Sequence, residues 1–168
     1  MKIEYEINSE TCAINYESKN SCSIIQDHEK LTIDESINQF LNYNCNYFGS
    51  SFEGRIKGSK QLLGMKYKLP IILEESQEII LFPTKSYRNN SSWIALNKIK
   101  KYERRNKSTL VTFTSGETVK YDISYESFEN QVLRATKLLM ILKNNKASLV
   151  KKTPQNAQNA IKNPNFVI

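Results

Sequence analysis

Arg55, Lys57, Lys60, Lys66 and Lys68 fall within fourteen residues, and four of the chain's five glycines (Gly49, Gly54, Gly58 and Gly64) are threaded around them. Tyr47, Phe48, Phe52 and Tyr67 lie in the same stretch. Lysine and arginine only donate hydrogen bonds, so a cluster of them suits a ligand rich in negative charge. Glycine adds a backbone that turns through positive φ and lets a ligand come close. Charge, permissive backbone and aromatic surface in one segment point to a polyanion.

The charge distribution agrees. Residues 1–54 carry three lysines against nine acids, a net −6. Residues 55–107 carry thirteen bases against four acids, a net +9, and residues 108–168 add +4 to reach the chain's +7. An acidic front before a basic middle favours nucleic acid or an anionic membrane surface. The bland alternative is a face solvated by lysine. Arg88, Lys100, Lys101, Arg104, Arg105 and Lys107 make a second basic cluster. Lys98, Lys100 and Arg104 interleave with Ile99 and Tyr102 as on a strand, so a solvated strand face competes there with a DNA surface.

Catalysis is not expected. The glycines do not form G-x-x-x-x-G-K-[ST], and no G-x-G occurs. His28 is the sole histidine, and Cys12, Cys22 and Cys45 lack the paired spacing of a zinc site. No metal or cofactor is implied. The three cysteines read as reduced thiols of a cytoplasmic protein. With no run of eighteen apolar residues and an acidic N-terminus, neither a membrane span nor a signal peptide is expected.

The elements that position these residues follow from periodicity. Ile3–Ile7, Cys12–Tyr16 and Cys22–Gln26 read as short strands. Asp34 reads as an N-cap before Ile37, Phe40 and Leu41, which recur at helical spacing to about Tyr43. Ser51 is placed to cap a helical segment through the glycine-rich stretch to Leu63, weakened by Gly54 and Gly58. Strands follow at Pro70–Leu73, Glu78–Phe82 (stopped by Pro83), Ser92–Leu96, Ile99–Tyr102, Leu110–Thr114 and Thr118–Ile123, with a hairpin at Ser115-Gly116. From Tyr125 to Leu142, Phe128, Val132, Ala135, Leu138, Leu139 and Leu142 share one helix face. The fold class is therefore α+β: an antiparallel sheet closed by a C-terminal amphipathic helix, after a glycine-rich helical or loop segment. Residues 1–146 read as one unit, with an acidic part over 1–44, and 147–168 as a flexible polar tail. Trp93 reads as a core anchor. Tyr121 and Tyr125 fit either an interface or a cover for the last helix.

Taken together, CNYFGSSFEGRIKGSKQLLGMKYKLPIIL, EIILFPTKSYRNNSSWIAL and TFTSGETVKYDISYESFENQVLRA resemble the competence transcription factor ComK family over about Cys45–Ala135. The resemblance implies a transcriptional activator of DNA-uptake genes. Such activators bind A/T-rich promoter boxes on double-stranded DNA, largely through the minor groove, as assembled subunits at the nucleoid. On that reading Arg55, between Gly54 and Gly58, is the candidate for insertion into a narrow minor groove. Lys57, Lys60, Lys66 and Lys68 are candidates for phosphate contacts, with Arg88, Lys100 and Arg104 behind them. Gly49, Gly54 and Gly58 serve either a permissive binding loop or close packing of two segments.

The aromatic C-terminal segment that better-known members present to a proteolytic adaptor has no match here, so adaptor binding is not expected. Two alternatives stand beside this reading. One is a pleckstrin-homology-like interaction module. The other is a degenerate member of the family that keeps the fold without activating transcription.

Overall fold

The four lysines of the basic stretch and Arg55, expected to lead it, take their positions from three helices and two sheets. The computed structural model describes residues 5–86 and 90–161, with side chains up to residue 150. Strands β1 (Thr11–Ser18), β2 (Ser21–Gln26) and β3 (Glu29–Ile33) form an antiparallel meander. Helices α1 (Ile37–Tyr47) and α2 (Phe52–Leu63) follow. Then come β4 (Ile71–Glu74), β5 (Ile79–Pro83) and β6 (Trp93–Ala95), a short 3-10 turn over Leu96–Lys98, and β7 (Ile99–Arg105), β8 (Ser108–Phe113) and β9 (Thr118–Tyr121). Helix α3 (Tyr125–Ile161) ends the described chain.

The architecture is α+β, as expected, with the strands divided between two antiparallel sheets. A six-stranded sheet has the order β3-β2-β1-β6-β5-β4, and β7-β8-β9 form a separate three-stranded one. Strand β6 pairs with its sequence neighbour β5 on one side and with β1, far away in the chain, on the other, with Ile94 opposite both Ala13 and Phe82. All three of its side chains are buried, so it needs a partner on each side. The hairpin at Ser115-Gly116 forms, and Gly116 takes the positive φ of +92° that this turn requires.

The core is aromatic where helices meet sheets. The ring of Phe52 at the start of α2 packs edge-on against buried Trp93 at 5.5 Å. Phe128 of α3 sits between Phe82 at 5.4 Å and Tyr102 at 4.9 Å. Trp93 is thus a core anchor. Between the two sheets, Lys98 Nζ donates to Asp27 Oδ2 at 2.8 Å, which holds the Asp27 carboxyl below its usual range.

Several boundaries differ from the sequence expectation. The described part of Ile3–Ile7 has no regular structure; it is pinned instead by Ile7 N–H donating to buried Asn44 Oδ1 at 2.7 Å. The cap of α1 is Ser36 rather than Asp34. Its Oγ accepts from Gln39 N and its own N–H reaches Gln39 Oε1, a capping box. Helix α3 runs past Leu142, where the apolar period ends, into the segment expected as a tail. Ion pairs continue where apolar contacts stop: Lys143 to Glu78 at 2.6 Å, and Lys146 to Glu75. The residues after Ile161 lie outside the described ones.

Candidate nucleic-acid interface

Helix α2 begins where Ser51 Oγ accepts from Gly54 N at 3.0 Å and Asn42 Oδ1 of α1 accepts from Phe52 N at 3.0 Å. Two of the first-turn N–H groups are thereby satisfied. Upstream, Gly49 takes φ +81° in the turn between α1 and α2, and downstream Gly64 closes α2 at φ +65°. Gly54 and Gly58 stand inside the helix with ordinary helical φ, so neither belongs to a permissive loop. Of Gly49, Gly54 and Gly58, Gly49 alone lies in a turn. Close packing of two segments does not account for Gly58 either, because a β-carbon there would meet nothing within 4 Å.

Ile56, Ser59 and Leu63 face inward from α2, which turns Lys57 and Lys60 outward. After Gly64 the chain reverses and runs back beside the helix as a strap, residues 65–69. Between strap and helix lies a cleft of about 550 Å³, lined by Lys57 and Lys60 on one wall and Lys66, Tyr67 and Lys68 on the other. Phe52, Ile56 and Leu69 form its apolar base. Four of the five cations of the sequence cluster therefore converge on one concave surface. Tyr67 is 74% exposed beside it. Glu53 contributes one carboxylate and pairs with Lys57 at 3.2 Å. Such an exposed i,i+4 pair is weak, about 0.5 kcal/mol. Among the described residues, Lys60, Lys66 and Lys68 form no ion pair.

Arg55 is the exception. It points off the cleft, its side chain is 25% exposed, and its Nη1 lies 3.9 Å from Glu75 Oε1. Its Nε is buried without a hydrogen-bond partner. Glu75 also pairs with Lys146, so one carboxylate links α2, the β4–β5 turn and α3.

The second cluster is built differently. Lys100, Lys101, Arg104 and Arg105 lie along β7, and none of them lines the cleft. Arg104 pairs with Glu126 and lies over the Tyr125 ring at 5.3 Å, while Lys101 and Arg105 share Glu103 at 3.7 and 3.1 Å. The Arg104 guanidinium holds the Glu126 carboxyl below its usual range. Tyr125 thus covers the cluster, and Tyr121 is buried, donating to Asn15 Oδ1 at 2.7 Å. Arg88 lies outside the described residues.

Sequence reasoning missed two residues that support the cleft. Gln131 and Arg134 of α3 hold the main chain of the strap through the carbonyls of Lys68 and Tyr67. A signal existed for the first: Gln131 falls on the same helix face as Phe128, Ala135 and Leu138, and a polar residue in a buried stripe needs partners.

The scaffold is thus an α+β fold that carries a concave site in which three of four lysines form no ion pair among the described residues. The family model described as ComK protein matches residues 2–147, and the chain belongs to that family. It is 35% identical over 135 residues to the competence transcription factor of Bacillus subtilis (strain 168), covering 77% of this chain and 70% of that relative. No solved structure matches. No described helix is long and apolar enough to cross a membrane.

Proposed function

We propose that this protein is a competence transcription factor that binds A/T-rich duplex DNA through the cleft between α2 and the strap. The observation that carries the reading is the convergence of Lys57, Lys60, Lys66 and Lys68 on one surface, in a chain similar to a competence transcription factor. Lysine contacts to phosphate supply affinity and register, and release counterions. Preference for A/T-rich boxes then comes from the narrow minor groove, whose potential attracts cations. Residues 1–146 act as one cytoplasmic, nucleoid-associated DNA-binding unit, and subunits pair on paired boxes to activate genes of DNA uptake. No catalytic step is assigned. Arg55 is an anchor of α2 through Glu75; reaching a minor groove would require that pair to open.

The test is a salt-titrated binding assay with a duplex carrying two A-tract/T-tract boxes and a scrambled duplex of equal A/T content. The boxed duplex is expected to bind more tightly, with affinity falling steeply with salt. Arg55→Ala is expected to lower the melting temperature while changing the salt slope by less than about 1. Equal binding to both duplexes would remove the sequence-specific role. A slope near zero would remove DNA as the ligand.

A further inference from the structure

The strap is the less secure wall of the cleft, since it has no helical or strand hydrogen bonds of its own. Lys68 holds φ +52°, a conformation that residues with a β-carbon keep only when their surroundings impose it. The imposing group comes from α3. Gln131, 1% exposed, donates from Nε2 to the Lys68 carbonyl at 3.0 Å and to the Pro83 carbonyl at 2.8 Å. Its Oε1 accepts from Arg134 Nη1 at 2.9 Å, and that same Nη1 reaches the Tyr67 carbonyl at 3.5 Å. The amide nitrogen of Gln131, with its two hydrogens, thus serves two carbonyls, and the amide oxygen is engaged as well. Two carbonyls of the strap and the end of β5 are tied to one point on α3.

We infer that Gln131 and Arg134 are positioning residues that fix the Lys66–Lys68 wall at a set distance from α2, and so decide how duplex phosphates seat in the cleft. The inference rests on the cleft being the DNA interface. Neither residue is required to touch DNA. Their effect passes through the strap backbone, whose carbonyls they hold, to the two ammonium groups it carries.

Gln131→Leu keeps the volume and removes every polar contact. It is expected to weaken binding to the boxed duplex about tenfold and to lower the salt slope by about 2, the share of two phosphate-contacting lysines. A stability-matched control is Val111→Ala in the three-stranded sheet, which contributes nothing to the cleft lining. Equal loss of melting temperature with an unchanged slope is expected for it. Combining Gln131→Leu with Lys66→Ala and Lys68→Ala should be strongly non-additive, because the lysines have already lost their seating. Additive losses, or an unchanged slope in Gln131→Leu, would overturn the inference.

Limited trypsin digestion provides a readout without DNA, because Lys66 and Lys68 put cleavable bonds in the strap. Faster cleavage confined to these two positions in Gln131→Leu, and not in Val111→Ala, supports the positioning role, and unchanged cleavage overturns it. If the wild-type protein fails to bind duplex, the DNA reading falls while cleavage still decides whether Gln131 holds the strap.

Discussion

The cleft and strand β7 each present four cations, yet carboxylates match one of the four in the cleft and three of the four on β7. Lys57, Lys60, Lys66 and Lys68 share a single weak pair with Glu53. Lys101, Arg104 and Arg105 are matched to Glu103 and Glu126, and Arg104 is also stacked on Tyr125. The difference arises from how each element brings in carboxylates. A strand places Glu103 within reach of cations two residues on either side, and the sheet's packing brings the start of α3, with Glu126, over Arg104. Helix α2 and the strap instead face each other across a concave surface whose lining holds a single carboxylate, Glu53. Free positive charge is a property of the fold around a cluster, not of the number of lysines in it.

The largest effect should follow from reversing charge in the cleft. Lys60→Glu combined with Lys66→Glu puts one anion on each wall and is expected to weaken duplex binding by on the order of 100-fold, with a salt slope lower by about 2. Both side chains are exposed, so circular dichroism and the melting temperature should remain close to wild type. A double reversal on β7, Lys100→Glu combined with Lys101→Glu, is expected to change affinity less than about threefold. Equal losses at both sites would erase the distinction between the clusters and return the protein to a uniformly basic surface.

A smaller effect should come from releasing the charge that β7 keeps matched. Glu126→Gln leaves the side chain's size unchanged and frees Arg104 from its partner. Binding to scrambled duplex should tighten a few-fold at low salt, with a slope increase of at most about 1, while preference for the boxed duplex declines. Unchanged binding to both duplexes would mean that β7 faces away from DNA altogether, which sharpens the contrast further.

These contrasts explain which parts of the molecule were legible in the sequence. Short apolar runs located β1 and β2, and the spacing of Ile37, Phe40 and Leu41 located α1, because each signal is local, whereas the alternation over Ile3–Ile7 gave no strand in its described part. Strand β3 escaped because its formation depends on pairing with β2 through a turn in which His28 takes φ +72°. The division into two sheets escaped because Ile94 pairs with Ala13, far away in the chain. In the site, the cations were legible and their partners were not. Glu126 lies 22 residues from Arg104, and Gln131 lies 63 from Lys68. Glycine was the misleading signal. Four in one segment suggested a loop, yet two of them are inside a helix whose cap, Ser51, was itself readable.

Gly58 turns that misreading into the finest of the tests. A glycine in the middle of a helix costs about 1 kcal/mol relative to alanine, and the open space around it gives no internal reason to retain it. Gly54 differs, since a β-carbon there would lie 2.9 Å from the capping Ser51 Oγ. Gly58→Ala is therefore expected to stabilise the protein by about 0.5–1 kcal/mol, a rise of roughly 1–4 °C in melting temperature. Gly58 is exposed next to Lys57 on the outer side of α2. If phosphates pass over this helix to reach Lys57 and Lys60, the added methyl should weaken duplex binding two- to fivefold without altering the salt slope, because no charge is lost. Stabilisation with unimpaired binding would confine the close contact to the strap wall. The cleft would then itself divide into a wall that touches DNA and a helix that only supplies charge to it.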